Sequence, residues 1–297
     1  MHDTILKFKG GRYFYITIVM LVICAFIYAS QGGRQPANGG TWQGYVLGTL
    51  GALLIFWLTA LGKRKRNYSS RWGSMQGWAS AHVYLGTSLL IVATLHCAVQ
   101  FGYNVHTLAY VLMCLVIFSG FAGVYAYMRY PRLSARNRSN NSRDELFAEL
   151  GELNDGVRKL ARLCDPQVQA IVDSAVDRTN IGGSVLAQLL ATDTSQMLKP
   201  ADEDSQSLAA TRVSNKDQQA VVEFIAQRIP RSRKQEQSAN LQDLLTMMCR
   251  RQALLRKIRK DVQLQGWMQI WLYVHIPLTM ALLVALTVHI VSVFFYW

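Results

Sequence analysis

The chain has 297 residues and a formal net charge of +13, with 51% hydrophobic but only 16% charged residues. Soluble domains carry about a quarter charged residues, so this composition excludes an ordinary soluble domain and a disordered chain. The cysteines show no C-x-x-C, no C-x-x-C-H and no regular spacing, which argues against a disulfide framework, a zinc cluster and covalent c-type haem. We expect all five to be small buried hydrophobes: Cys24, Cys97, Cys114, Cys164 and Cys249.

Five apolar segments predict five membrane-spanning helices, because a bilayer core of about 30 Å needs about 20 mostly apolar helical residues. None of the segments contains Asp, Glu, Lys or Arg. This argues against a proton pump or an ion-coupled transporter, whose relays use titratable groups at depth. The first segment begins after basic residues and ends in small residues, so a cleaved signal peptide is the alternative there. The predicted spans are 13–31, 42–62, 78–101, 106–128 and 267–296.

Basic residues collect at alternate ends of these spans and predict an orientation in the cytoplasmic (inner) membrane. The positive-inside rule makes the N-terminus and the segment after span four cytoplasmic and puts Trp297 on the outer, periplasmic side. Interfacial tryptophans agree, with Trp72, Trp78, Trp267 and Trp271 inside and Trp42 and Trp297 outside. The cytoplasmic-side cations are Lys7, Lys9, Arg12, Lys63, Arg64, Lys65, Arg66, Arg71, Arg129, Arg132, Arg136 and Arg138, against Arg34 alone outside.

The hydrophilic segment 131–265 is predicted to be an all-helical cytoplasmic domain. Ser142 to Glu145 forms a capping-box pattern, and Asp165 before Pro166 indicates a second helix start. The polar stretch 192–215 predicts a flexible connection, and the helical period of 238–262 is expected to run on into span five. No nucleotide or flavin motif is present, and Gly182 and Gly183 indicate a turn before a helix. The basic excess lies at membrane ends, so we expect no nucleic-acid partner.

The predicted fold class is all-α: an integral membrane helical bundle of five transmembrane helices, with a helical cytoplasmic domain inserted between spans four and five. Residues 1–130 hold spans one to four, residues 131–265 form the inserted domain, and residues 266–297 complete the bundle with span five.

Four of the six histidines lie inside predicted spans, at the same spacing on two helices. His82 and His96 are 14 residues apart on span three, as are His275 and His289 on span five. Fourteen residues return a helix to within about 40° of the same face and rise about 21 Å. Because spans three and five are predicted to be parallel, His82 faces His275 near the cytoplasmic side and His96 faces His289 near the outer side. Hydrogen-bonded core histidines and two non-haem metal sites are the alternatives.

Two imidazoles from facing helices can bind a haem iron axially, so we predict two non-covalent haem b groups. His82 and His275 would bind the inner iron, and His96 and His289 the outer iron. Because both axial positions would be filled by protein, we expect such an iron to function in electron transfer. His106 at the start of span four is expected to be an exposed interfacial residue rather than a proton acceptor for a quinol, and His2 belongs to the N-terminal tail.

The sequence leaves two alternative roles open for each of the other residues near the predicted sites. Gly44, Gly48, Gly51, Gly86, Gly120 and Gly123 either admit a macrocycle or pack helices. Arg66, Arg71, Arg129 and Arg34 either pair with haem propionates or anchor the helices at the interface, the reading that we favour. Pro277 is expected to kink span five.

With His82-x13-His96 and His275-x13-His289, the chain resembles the di-haem membrane cytochromes b, and the ligand spans resemble those of the transmembrane ferric reductases in particular. It differs from the reductases in ending after span five without flavin and nicotinamide domains, and from bc-type cytochrome b in its helical insertion. The expected function is transmembrane electron transfer between a quinone pool and partner redox proteins, such as a cytochrome c, an iron–sulfur protein or a flavin protein, as a subunit of an oxidoreductase complex. The alternatives are a self-sufficient quinol-dependent reductase of ferric iron or another small acceptor, and a non-redox membrane scaffold or sensor.

Overall fold

The computed structural model describes residues 5–31, 38–66, 73–139, 141–199, 211–231 and 235–295. The chain is mostly helical, with 83% of the described residues in helices. It divides into two compact units, which we name the apolar unit (Met1–Tyr125 with Trp271–Trp297) and the polar unit (Ala126–Ile270). The divisions fall five residues from the predicted boundaries at 130 and 265.

Five helices are long and apolar enough to cross a membrane, as the sequence predicts. A 3-10 helix, Ile5–Gly11, leads into the first of them. The orientation stays a prediction. The helices are α1 (Arg12–Ala29), α2 (Trp42–Arg66), α3 (Met75–Cys97), α4 (Val105–Asn137) and α9 (Gln235–Phe295).

Helix α4 is longer than the fourth predicted span, which ends at residue 128. It continues through Pro131 to Asn137, into the segment that the sequence assigns to the cytoplasmic domain. A proline inside a helix removes one backbone donor, and tertiary contacts can offset that loss. Here Ser134 donates a hydrogen bond to Asp261, and Asn137 Nδ2 donates to the Lys257 carbonyl at 2.7 Å. These contacts with α9 stabilise the last two turns of α4.

An apolar layer crosses the middle of the apolar unit. Leu89 on α3 and Leu282 on α9 belong to it, and each is seven residues from both histidines of its helix. The layer therefore lies between the two histidine levels. Large apolar side chains also cover the outside of these helices, such as Val22 and Phe26 on α1, as expected for lipid-facing surfaces. The other buried members of the layer are Ile55, Met113, Ile117 and Leu286.

The expectation that all five cysteines are buried is only partly right. Cys24 and Cys97 are buried, Cys114 and Cys164 are half-buried, and Cys249 is exposed on the polar face of α9. All five are free thiols.

Three predicted helix starts in the polar unit are confirmed. Ser142 and Glu145 form a complete capping box, and the Asp165 side chain caps the helix that begins at Pro166. Ser184 caps a one-turn helix, after Gly183 with φ +109°. A positive φ favours glycine. The elements are α5 (Arg143–Ala161), α6 (Pro166–Asp177), α7 (Val185–Leu189), α8 (Gln219–Arg228) and 3-10 helices at Lys216–Gln218 and Ile229–Arg231.

The expectation of an all-helical domain with a flexible middle is wrong at one place. Strands β1 (Gln196–Lys199) and β2 (Thr211–Ser214) form an antiparallel pair, with Leu198 opposite Arg212. Tertiary contacts stabilise the pair, because Met197 is buried in the core and the Leu198 amide donates to Ser174 Oγ at 2.7 Å. Part of the predicted connection, residues 200–210, lies outside the described residues.

Helix α9 contributes its first half to the polar unit, and its bounds confirm the predicted continuous run into span five. The apolar period of α5 packs on that of α9: Leu146, Leu150, Leu153 and Val157 are buried, as are Leu241, Leu244, Met248, Leu255 and Ile258.

A buried arginine organises the polar core. Arg251 on α9 is 1% exposed and donates to Asn154 Oδ1, Gln218 Oε1 and Thr179 Oγ1 at 2.7 to 2.8 Å. Burial lowers the pKa of Arg251 to about 10, with a further contribution from neighbouring arginines. The guanidinium is therefore still charged at neutral pH, and three neutral acceptors stabilise it.

Candidate functional site

The structure places the four span histidines at two levels of the apolar unit. We name them the outer and inner levels after the predicted orientation. At the outer level, the ring centroids of His96 and His289 are 6.3 Å apart and their planes are inclined by 66°. His82 and His275, each seven residues before the apolar-layer residue Leu89 or Leu282 of its helix, form the inner level. All four imidazoles are half-buried. His96 and His289 lie together as the spacing predicts, whereas the pairing of His82 with His275 and the role of all four as iron ligands stay predictions.

The separation at the outer level fits a shared metal ion. Two imidazoles on opposite sides of one metal have ring centroids about 6.5 Å apart, because each metal–nitrogen bond is about 2.0 Å long. The observed 6.3 Å between His96 and His289 is close to this value.

Two of the imidazoles are held through Nδ1. His96 Nδ1 lies 2.7 Å from the Gly44 carbonyl oxygen, which only accepts, so His96 Nδ1 is the donor. His275 Nδ1 lies 2.7 Å from Ser119 Oγ. The Ser119 hydroxyl already donates to the Val116 carbonyl at 2.8 Å, so it accepts from His275. In both neutral rings Nε2 therefore keeps a free lone pair, which is the arrangement of histidines that bind metals.

His82 presents a further indication of a bound group. Its Nδ1 is buried and has no partner at hydrogen-bond distance within the described ranges, although the imidazole also interacts with the Leu58 backbone. A buried nitrogen without a partner costs free energy, and coordination of a metal would remove that cost.

The glycines near the sites leave room for side-chain rings, a role that the sequence pattern does not reveal. A Cβ at Gly48 on α2 would lie 2.6 Å from His96 Cε1, and one at Gly123 on α4 would overlap the Trp271 indole. Gly120 faces His275 at an ordinary 3.7 Å.

The remaining glycines have ordinary structural roles. Gly51 and Gly86 meet neighbouring helices at 3.9 and 3.8 Å, in agreement with helix packing. Gly44 is required by the turn before α2, because a Cβ there would collide with the backbone of Asn38 and Gly39.

His106 was expected to be an exposed interfacial residue, and this expectation is wrong. It is half-buried, with its ring centroid 5.2 Å from that of His96 and 4.7 Å from that of His289. One ligand atom from each ring lies within 4.8 Å of the others. His106 Nε2 also lies 2.8 Å from Cys97 Sγ. The short connection between α3 and α4 is the sequence signal that could have indicated this, since it holds the two histidines at one end of the bundle.

Helix α4 thus distinguishes the two levels. It adds the His106 imidazole at the outer level and, 13 residues later, the Ser119 hydroxyl at the inner level. The inner level therefore joins two imidazoles and a hydroxyl, and the outer level joins three imidazoles.

Other residues that the sequence pattern singled out do not contribute to the site. Arg66 and Arg129 are exposed, and α9 continues as a helix through Pro277. His2, Arg34, Arg71, Trp72 and Trp297 lie outside the described residues.

Comparisons with protein-family models, with curated proteins and with solved structures find no match to this chain. The choice among functions therefore depends on the chemistry of the two histidine levels.

Proposed function

We propose that the chain is a di-haem b-type cytochrome that carries electrons across a membrane. The observation that carries the proposal is the pair of histidine levels, in which His96 and His275 each direct a free Nε2 away from an anchored Nδ1. An isolated core histidine needs no such arrangement, and four histidines at two levels cannot serve one metal ion about 2 Å from each ligand.

The residues of the chain would act as follows. His82 and His275 would hold the inner haem. His96 and His289 would hold the outer one once the His106 ring, whose centroid lies 5.2 and 4.7 Å from theirs, has moved aside. Bound haem would supply a one-electron redox change. The Gly44 carbonyl and the Ser119 hydroxyl orient two of the imidazoles and strengthen them as ligands. The apolar layer around Leu89 and Leu282 excludes water between the levels.

The remaining parts of the proposal come from the sequence. We place the N-terminus and the polar unit on the cytoplasmic side of the inner membrane and the C-terminus on the outer side. The electron donors and acceptors would be quinones and partner redox proteins, which the polar unit would dock. A self-sufficient reductase would instead turn over quinol with ferric iron or another small acceptor without added subunits.

The outer level also supports a second candidate, a single non-haem transition-metal ion. His96, His106 and His289 offer three imidazole nitrogens within 4.8 Å of one another. Imidazole suits zinc, copper, iron and nickel, and three histidines leave one position of a tetrahedral ion open. In this arrangement the outer level would hold an ion instead of a haem.

Electron transfer across vesicles tests the function. The purified chain is reconstituted in vesicles that enclose ferricyanide, and a membrane-impermeant reductant is added outside. We expect the enclosed ferricyanide to be reduced, and we expect the rate to fall to that of empty vesicles for His96→Ala. Equal rates with the wild-type chain and with empty vesicles would overturn the proposal.

A further inference from the structure

The turn around α7 carries three adjacent exposed apolar side chains. Val185, Leu186 and Leu190 are 62%, 68% and 64% exposed, whereas Leu189 is 7% exposed and attaches the helix to the polar unit. Single exposed apolar residues are ordinary on protein surfaces, but a contiguous group more often marks a contact with another molecule or a membrane.

Helix α7 is fixed to α9 directly before the apolar run of α9 begins. Gln263 Nε2 donates to the Leu189 carbonyl at 2.9 Å, and a Cβ at Gly266 would lie 3.4 Å from Leu189 Cδ2. The next residue, Trp267, is the first of the predicted fifth span. Gln263 and Trp267 are separated by about 6 Å along the helix axis. The exposed apolar group therefore lies at the depth where α9 leaves water.

Cationic side chains lie toward the same depth. The end of α4 runs antiparallel to α9, with Ser134 bonded to Asp261 and Asn137 bonded to Lys257. Arg129 and Arg132, which precede Ser134 on α4, therefore lie toward the level of Gly266, and both are exposed. Two exposed arginines at about the level of an apolar group along α9 match the anionic headgroups and upper acyl chains of a lipid leaflet.

We propose that α7 is an interfacial lipid anchor: Val185, Leu186 and Leu190 insert into the leaflet where α9 enters it, and Arg129 and Arg132 contact the lipid phosphates. This inference goes beyond the proposed electron transfer and is independent of haem. It gives the polar unit a second attachment to the membrane, besides the helices that continue into it.

Depth measurement with a nitroxide label tests the anchor. The full chain, with exposed Cys249→Ser as background, receives a label at Leu186→Cys and is placed in nanodiscs of phosphatidylcholine and phosphatidylglycerol. The signal of the labelled Cys249→Ser protein without the introduced cysteine is subtracted. Collision rates with oxygen, which enters the bilayer, and with a water-soluble nickel chelate are compared. We expect the oxygen rate to exceed the nickel rate.

Leu163→Cys is the matched control. Leu163 is 64% exposed, close to the 68% of Leu186. It follows α5, which starts near Gln265, where Arg143 Nη1 donates at 2.6 Å. From Gln265, α5 runs along α9 away from the apolar run, since Arg251 bonds to Asn154. About 20 helical residues span about 30 Å, so Leu163 lies far from the level of Gln265. We expect the nickel rate to exceed the oxygen rate at Leu163.

Two results would overturn the anchor. Equal nickel access at Leu186 and Leu163 would mean that α7 lies in water. Low rates with both reagents at Leu186 would mean that protein covers it, either a second copy or another chain. Arg129→Gln with Arg132→Gln should move the label toward water in anionic nanodiscs, whereas an unchanged depth would remove the arginines from the proposal.

Discussion

His96 Nδ1 donates a hydrogen bond to the Gly44 carbonyl oxygen at 2.7 Å, across the contact between α3 and α2. A carbonyl only accepts, so this bond fixes both the orientation of the ring and its tautomer. The Nε2 lone pair of His96 is left for a ligand. The same logic holds for His275, where Ser119 replaces the carbonyl as acceptor.

Single substitutions of the four histidines should separate the two sites. His82→Ala or His275→Ala should remove the inner haem, and His96→Ala or His289→Ala the outer one, because an iron that loses an axial ligand is held less tightly. The measurement is haem per polypeptide with the reduced-minus-oxidised spectrum. A substitution that changes neither haem content nor spectrum would show that its residue is not a ligand.

His106→Ala distinguishes the two candidates for the outer level. If the outer pair holds haem, His106→Ala should retain both haems, because His96 and His289 supply the axial nitrogens. If three imidazoles hold an ion, the substitution removes one ligand and should lower the affinity for that ion by about tenfold or more. Metal analysis of the purified variant, beside its haem content, decides between them. Loss of the outer haem in His106→Ala would contradict the pairing of His96 with His289.

Gly48→Ala should disturb the outer level without changing any ligand. The new Cβ would lie 2.6 Å from His96 Cε1, so the ring must move and its bond to Gly44 must weaken. Gly51→Ala, three residues later, is the control, since its Cβ would meet Val92 at 3.9 Å. We expect a shifted spectrum or lower occupancy of the outer haem for Gly48→Ala only. Identical spectra of the two variants would remove Gly48 from the site.

Arg251→Ala should destabilise the polar unit. It leaves Asn154 Oδ1 without its Arg251 donor, and it leaves Gln218 Oε1 and Thr179 Oγ1 with only the longer bonds from Asn215 and Gln218. We expect a cost of about 2 kcal/mol or more. Arg250→Ala is the control, because the neighbouring Arg250 forms a surface ion pair with Glu149 worth less than about 1 kcal/mol. Hydrogen exchange of the backbone amides in 141–190 of the full chain measures the difference. Equal protection in the two variants would mean that the buried network contributes little.

The sequence predicts the helical fold and the approach of His96 to His289, because both depend on repeated patterns. Apolar length indicates the five helices, and two identical spacings on parallel helices indicate which imidazoles face each other. His106 has no repeated partner, so only the closeness of α3 and α4 places it with His96.

Local stabilisation by tertiary contacts explains the main differences. Strands β1 and β2 have four residues each, too few to show an alternating pattern, and the burial of Met197 stabilises them. The extension of α4 through Pro131 depends on contacts of Ser134 and Asn137 with a segment more than 100 residues away. Neither contact is visible in a local pattern.

The most direct test of the account is the haem content of the purified wild-type chain. Haem would be quantified per polypeptide as the pyridine haemochrome, together with the reduced-minus-oxidised absorption spectrum. The account predicts two b-type haems per chain with low-spin spectra, one for each histidine level. A colourless chain, purified from cells with sufficient haem, would contradict it.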